Sequence, residues 1–248
     1  MANNYYDATG VLILERVTPV ITALFRGFNL DENYPGNGRA YIARISEESS
    51  ASWDCVLEGL IALAAELDLP APSTGEEANG DNSSDGSHDS SDADGSLIPV
   101  VLDRLANHFG AGENEELAHL IEQHDFEDDA DLDALFLIAT CFNDGHNLVA
   151  IQFEGCWHCS KPRLFEFGGD SCFLSREVRL FSTSSTAMQL GKELRNAVVA
   201  GDADAAAALI TKEARGLLAG INDDHFRTRV VHRIASHLLE GASIPGVT

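Results

Sequence analysis

Between Ser73 and Ser96 the chain reads STGEEANGDNSSDGSHDSSDADGS, with seven carboxylates and no aromatic or branched aliphatic side chain. Such a tract has no apolar surface whose burial could offset the entropy of ordering it. It is expected to be a disordered acidic linker, extended by its own charge. Whatever folds must then fold before it and after it. A chain of 248 residues is long enough for one large or two small domains. The expected organisation is a small α/β unit over 1–72, the linker over 73–96, and an α+β domain over 97–248. Because a core built from about 70 residues is thin, the first unit is expected to lean on the rest of the chain.

The charge follows the same division. Forty Asp and Glu against 16 Lys and Arg give a net charge of -24, far beyond the roughly 2–8 units that keep a small domain dispersed. Residues 73–133 hold 18 acidic side chains and one basic one, Arg104, so 17 of those units sit there. Residues 184–248 hold seven of each sign and are neutral, with Arg227, Arg229 and Arg233 close together near the end. A balance this negative argues against direct binding to nucleic acid or to an anionic membrane, both of which reward Lys and Arg. It suits a basic protein surface. Carboxylates anchored on a folded element are pre-organised, whereas a linker must be ordered on binding. The partner-binding set is therefore expected among Glu113, Glu115, Glu116, Glu122, Asp125, Glu127, Asp128, Asp129, Asp131 and Asp133. A nucleic-acid-binding protein is one such partner, the carboxylates then imitating phosphates.

Periodicity supplies the elements. Thr9–Leu14 is an apolar run suited to a buried strand, and Thr18-Pro19 opens a helix reaching Phe28, with Thr18 as its cap. Leu30–Gly38 is turn chemistry. Arg39–Ile45 alternates as a strand, and Ser52 caps a helix whose apolar residues run from Trp53 to Leu67 and which stops by Pro70. After the linker, Leu97–Phe109 and Glu113–His124 read as helices. A four-stranded antiparallel meander is expected over 135–181: Leu135–Phe142, Leu148–Phe153, Arg163–Phe167 and Cys172–Phe181. Its turns would fall at Asn143–His146, around Cys156–Cys159 and at Gly168–Asp170. Helices fill 184–240, two of them meeting at Gly201-Asp202. The fold class is α+β.

The opening YYDATGVLILERVTPVITALF, with NYPGNGRAYIARISE further on, resembles uncharacterised cytosolic proteins carried on integrative and conjugative elements or plasmids of Gram-negative bacteria. The resemblance covers roughly the first 70 residues and carries no catalytic motif. It implies a context, that of mobile-element cargo such as an accessory or anti-defence factor.

Cys156-Trp157-His158-Cys159 is the one sharp motif, readable as a redox dithiol or half of a zinc site. No helix follows it to stabilise a thiolate, since Ser160-Lys161-Pro162 leads into a strand. The expected meander also sets Cys141 and Cys172 about 20 Å from Cys156 and Cys159. Zinc would then rest on Cys156, His158 and Cys159 with a ligand from elsewhere, and a metal- or thiol-containing accessory protein is the alternative reading. The leading reading expects no cofactor. His119 and His124 are five apart, off a common helical face, and no G-x-S-x-G, Walker A or G-x-G-x-x-G motif occurs. No catalytic residue is assigned, and the leading reading is non-enzymatic. The five cysteines are odd in number, the start MANNYYDATG lacks a basic leader region, and the long clean apolar runs such as Leu60–Ala65 and Ala205–Ile210 are six residues each. These fall short of the ~20 residues of a membrane span, so reduced thiols in a cytoplasm are expected.

Overall fold

The apolar run at Thr9–Leu14 belongs to a longer strand, β1 (Asn4–Ile13), which lies in the interior of a six-stranded sheet. The computed structural model describes residues 3–70, 97–161 and 166–241. The tract expected to be a linker lies outside them. Strands β2 (Asp31–Pro35) and β3 (Arg39–Arg44) form one side of the sheet. Strands β4 (Ala150–Cys159), β5 (Phe167–Ser175) and β6 (Arg179–Thr183) form the other. The order is β2-β3-β1-β4-β5-β6, with antiparallel neighbours throughout. Along all ten of its residues β1 pairs with β4, from Asn4 opposite Cys159 to Ile13 opposite Ala150.

That pairing corrects the division into a 1–72 unit and a 97–248 domain. The sheet runs through both. So does one apolar core: Leu12 and Ile42 from the first part and Ile151 and Leu174 from the second pack with Leu24, Trp53 and Leu60 and with Leu102, Leu105 and Leu135. The helices that carry these side chains are α1 (Pro19–Phe25, continued by a 3-10 turn, Arg26–Phe28), α2 (Trp53–Glu66), α3 (Leu97–His108) and α5 (Leu132–Cys141). Surface helix α4 (Glu115–Gln123) buries only Leu117. The 72-residue part could not bury its sheet and helix faces alone, and β1 resolves this by pairing with a strand about 150 positions away.

Several local expectations hold for local reasons. Ser52 caps α2, its hydroxyl accepting from Cys55 N at 3.3 Å. Thr18 occupies the cap position of α1 with Pro19 at the first turn, but its side chain makes no cap bond. The carboxylate of Asp144 accepts the Val20 N–H instead, at 3.2 Å. The Asp-Gly pair read as a hairpin turn is thus a long-range cap. Leu30–Gly38 is not all turn, since it contains the short, exposed edge strand β2.

The four-stranded meander is corrected to three strands, β4–β6, with β1 as the fourth neighbour. Leu135–Cys141 is helical, and Phe142 is the residue that caps the helix end. Asp131 caps α5 by accepting from Ala134 N at 2.8 Å, and Ala134, Leu135, Phe136, Ile138 and Ala139 are buried. The run Leu135–Phe142, apolar but for Thr140, reads alike as buried strand or buried helix. Gly168-Gly169-Asp170 is no turn either, since it lies inside β5 opposite Trp157, Cys156 and Gly155. A Cβ on Gly168 would lie 2.0 Å from Trp157 Cζ2, so that glycine makes room for an indole lying across the strand. Of the expected strand Arg163–Phe167, positions 163–165 lie outside the described residues.

The described part of the chain ends in α6 (Ser184–Ala200), α7 (Ala203–Ala219) and α8 (Asp224–Gly241). Gly201 closes α6 in the left-handed region at φ 69°, and Asp202 opens α7 by accepting from Ala205 N at 2.9 Å. The α7–α8 junction is tied to the start of β6, where Arg179 N donates to Gly220 O at 2.8 Å and Asn222 N to Glu177 O at 2.9 Å. Among the described residues of these three helices, Ala197 is the only buried apolar side chain.

Gly59 shows how tightly α1 and α2 cross. A Cβ there would lie 2.1 Å from the carbonyl oxygen of Ala23. Helix propensity alone would make Gly59→Ala stabilising by about 1 kcal/mol, while overpacking against backbone costs about 1–3 kcal/mol. The contact is short enough for overpacking to win. Gly59→Ala is expected to lower stability by about 1–2 kcal/mol, read as a lower urea midpoint. A stabilised variant would mean that the two helices can move apart freely.

Candidate functional site

The acidic surface is built on α4 and the loop that follows it. Asn114 caps α4 by accepting from Leu117 N at 2.9 Å, and Glu115 and Glu116 occupy its first turn, where the helix dipole favours anions. Beyond α4 the chain passes through Phe126, which is 3% exposed and meets the Trp53 ring edge-on with centroids 4.8 Å apart. Two backbone bonds fasten the loop to the start of α2: Trp53 N donates to Asp128 O and Ala130 N to Ala51 O, both at 3.0 Å. His124 Nδ1 accepts the Phe126 N–H at 2.8 Å. Its hydrogen therefore lies on Nε2, which faces Asp131 Oδ2 at 2.8 Å. Phe126 and Asp128 are held at φ 53° and 57°, a region that costs non-glycine residues energy and persists where packing dictates it. The carboxylates of this loop stand on a fixed backbone.

The ten acidic residues singled out in the sequence divide into two groups. Asp129 pairs with Arg44 of β3. Asp131 caps α5 and bonds His124. Asp133 is half-buried and faces Arg179 at 3.6 Å; burial pushes its carboxyl above the ordinary range, opposed by the Arg179 guanidinium. These three join the acidic segment to β3, α5 and β6. The other seven (Glu113, Glu115, Glu116, Glu122, Asp125, Glu127 and Asp128) are exposed and have no ion-pair partner among the described residues. Arg104, the one basic side chain of 73–133, does not neutralise them, because its guanidinium donates to Pro70 O at 2.6 Å.

The Cys-Trp-His-Cys motif is the end of β4, where side chains alternate between faces. Cys156 is exposed, whereas Cys159 is 4% exposed. Residues three apart in a strand have Cα atoms about 10 Å apart, beyond the ~7 Å a disulfide spans. The proposed ligand set is split accordingly, with Cys156 and His158 on one face and Cys159 on the other. His158 Nε2 instead lies 3.3 Å from Asp7 Oδ2, and its ring stacks on Tyr5 at 5.3 Å. Asp7 also accepts Ser46 N at 2.8 Å, and that bond, with the His158 contact, holds its carboxyl below the usual range. Ser46 Oγ is occupied by the Tyr6 backbone, accepting from N and donating to O at 2.8 Å each. It is therefore not presented to His158 as an activated nucleophile. The cluster acts as a clasp between β1, β3 and β4. Among the described residues no group of three or more His, Cys, Asp or Glu side chains is placed to hold a metal ion.

Two cavities complete the picture. One of about 960 Å³ lies beside the acidic face, where Glu113, Glu116 and His119 meet Cys141, Arg176 and Arg179. The other, about 1190 Å³, runs over the sheet face away from α1–α5, lined by Val11, Tyr34, Tyr41, Phe173, Leu180 and Leu217 among others. Sequence reading missed both, although the alternation of Val11 and Phe173 with core-facing neighbours is a signal for the second. Among the described residues no helix is long and apolar enough to cross a membrane. No protein-family model, curated protein sequence or solved structure matches the chain.

The thiols give a direct test of this geometry. Burial pushes Cys172 up to about 11 and raises Cys141 as well, and both should resist modification. Cys156 is expected to give the fastest phase with a chromogenic disulfide reagent near neutral pH, and Cys156→Ser to abolish that phase. Mild oxidation should yield no Cys156–Cys159 link. Rapid formation of that link would show that the end of β4 does not hold the strand geometry.

Proposed function

We propose that this protein is a non-enzymatic interaction protein whose α4 face and following loop engage a basic protein surface. The reading is supported above all by seven exposed carboxylates that have no ion-pair partner among the described residues: Glu113, Glu115, Glu116 and Glu122 at or on the capped helix α4, and Asp125, Glu127 and Asp128 on a loop pinned by Phe126 and Trp53. A free acidic side chain on a fixed frame loses little entropy when it meets a cation, so its Coulomb attraction is retained. A binding surface for nucleic acid is the fitting partner class, because it is already arranged to accept closely spaced negative charge. The resemblance of the first 70 residues adds a cytoplasmic, mobile-element setting, in which such a protein would serve as an accessory or anti-defence factor.

The experiment compares two variants against one basic DNA-binding protein at ~50 and ~300 mM salt. One variant neutralises the seven carboxylates as Gln or Asn; the other deletes Ser73–Ser96. Exposed pairs contribute about 0–1 kcal/mol each, so neutralising seven is expected to weaken binding on the order of 100-fold at low salt. The deletion should change it only a few-fold. High salt should erase most of the difference, since screening acts over ~8 Å. If the deletion does the greater damage, the binding element is the Ser73–Ser96 tract and not the folded face.

A further inference from the structure

The C-terminal helices pose a problem the acidic face does not answer. Ten large apolar side chains between Met188 and Leu239 are 41–74% exposed, among them Val199, Ile210, Leu217, Leu238 and Leu239. On α8, Phe226, Val230, Ile234 and Leu238 recur every four residues and so run along one side of the helix. Nine of the ten are aliphatic or Met, and at roughly 130 Å² per side chain and about 60% exposure the ten present on the order of 800 Å² in all, spread over α6, α7 and α8. A stable interface takes about 800 Å² from each partner, so α6, α7 and α8 together carry enough exposed apolar surface for one.

The charge distribution selects the occupant. Residues 184–248 carry seven acidic and seven basic side chains, while the remainder of the chain carries the whole -24. A basic partner is drawn to the acidic face, and a polyanion is repelled by the molecule as a whole. A second copy is not drawn to the acidic face, and its own overall repulsion is least where the neutral helices of the two copies face each other. It also brings the same uncovered apolar surface, so one isologous contact covers both. We propose that α6–α8 form the interface of a two-fold dimer of this chain. The inference is independent of the proposed basic partner, and its salt dependence has the opposite sign. Salt screens the repulsion between two bodies of charge -24 and strengthens an apolar dimer, whereas it weakens binding at the acidic face.

Sedimentation equilibrium of the full chain at ~1–100 μM and two salt concentrations tests this. The expected result is a plateau at twice the chain mass, reached at lower protein concentration as salt rises. The double substitution Ile234→Glu/Leu238→Glu should weaken the dimer at least ~100-fold, since each side chain loses an apolar contact and buries a charge. Its core should stay intact, reported by tryptophan fluorescence, to which Trp53, 1% exposed, contributes alongside Trp157. Leu217→Glu on α7 is the second variant, used if the first loses that signal. A single-chain mass at every concentration, growth past two chains without a plateau, or a dimer untouched by both variants with the core intact would each overturn the proposal.

Discussion

The pairing of β1 with β4 is the interaction on which the rest of the molecule depends. Ten residues near the start of the chain lie in register with ten that begin at Ala150, while β3 occupies the other edge of β1. Without β1 the sheet would separate into β2-β3 and β4-β5-β6, and each piece would expose an open edge. Loop-closure entropy makes so distant a pairing costly to form. What offsets that cost is the burial of Leu12, Ile42, Ile151 and Leu174 under α1, α2, α3 and α5.

The placement of the acidic segment follows from the same closure. Residues 124–131 lie against the start of α2 because the core joins both parts of the chain. Trp53 then grips Phe126, and Arg44 of β3 reaches Asp129. A stretch of like charges would repel itself into an extended loop if left alone. Here an aromatic contact and two backbone hydrogen bonds override that repulsion. Three carboxylates are used internally, and seven face outward. The molecule presents two surfaces of different character: a fixed anionic face on α4 and its loop, and a neutral, apolar group of helices at the C-terminal end.

What the sequence made legible was local. The Ser52 cap, the Pro19 helix start, the Gly201-Asp202 junction and the alternation of Arg39–Ile45 each depend on a few neighbouring residues, and each is found in place. The errors came where a distant contact decides. Asp144-Gly145 has turn chemistry, but Asp144 serves as the cap of α1. Gly168 and Gly169 look like a turn, yet they lie in β5, where Gly168 makes space for Trp157. Ala134–Ala139 is an unbroken apolar run because α5 buries most of that stretch, which removes the periodicity that separates helix from strand. The acidic residues of the site were visible as charges, but not their division into paired and free. Arg44 and Arg179, which engage Asp129 and Asp133, are far away in sequence.

Native-state hydrogen exchange of the full chain tests the central claim of a single sheet closed by β1. The amides of Ala8–Leu12 lie between β3 and β4, and those of α3 lie in the shared core. If β1 closes one cooperative unit, both sets exchange only through global unfolding, with one protection free energy equal to that from denaturant. The contradicting result is a distinctly lower protection shared by β1, β3 and α2 while β4, β5 and α5 stay protected. The segments on either side of Ser73–Ser96 would then open as separate units.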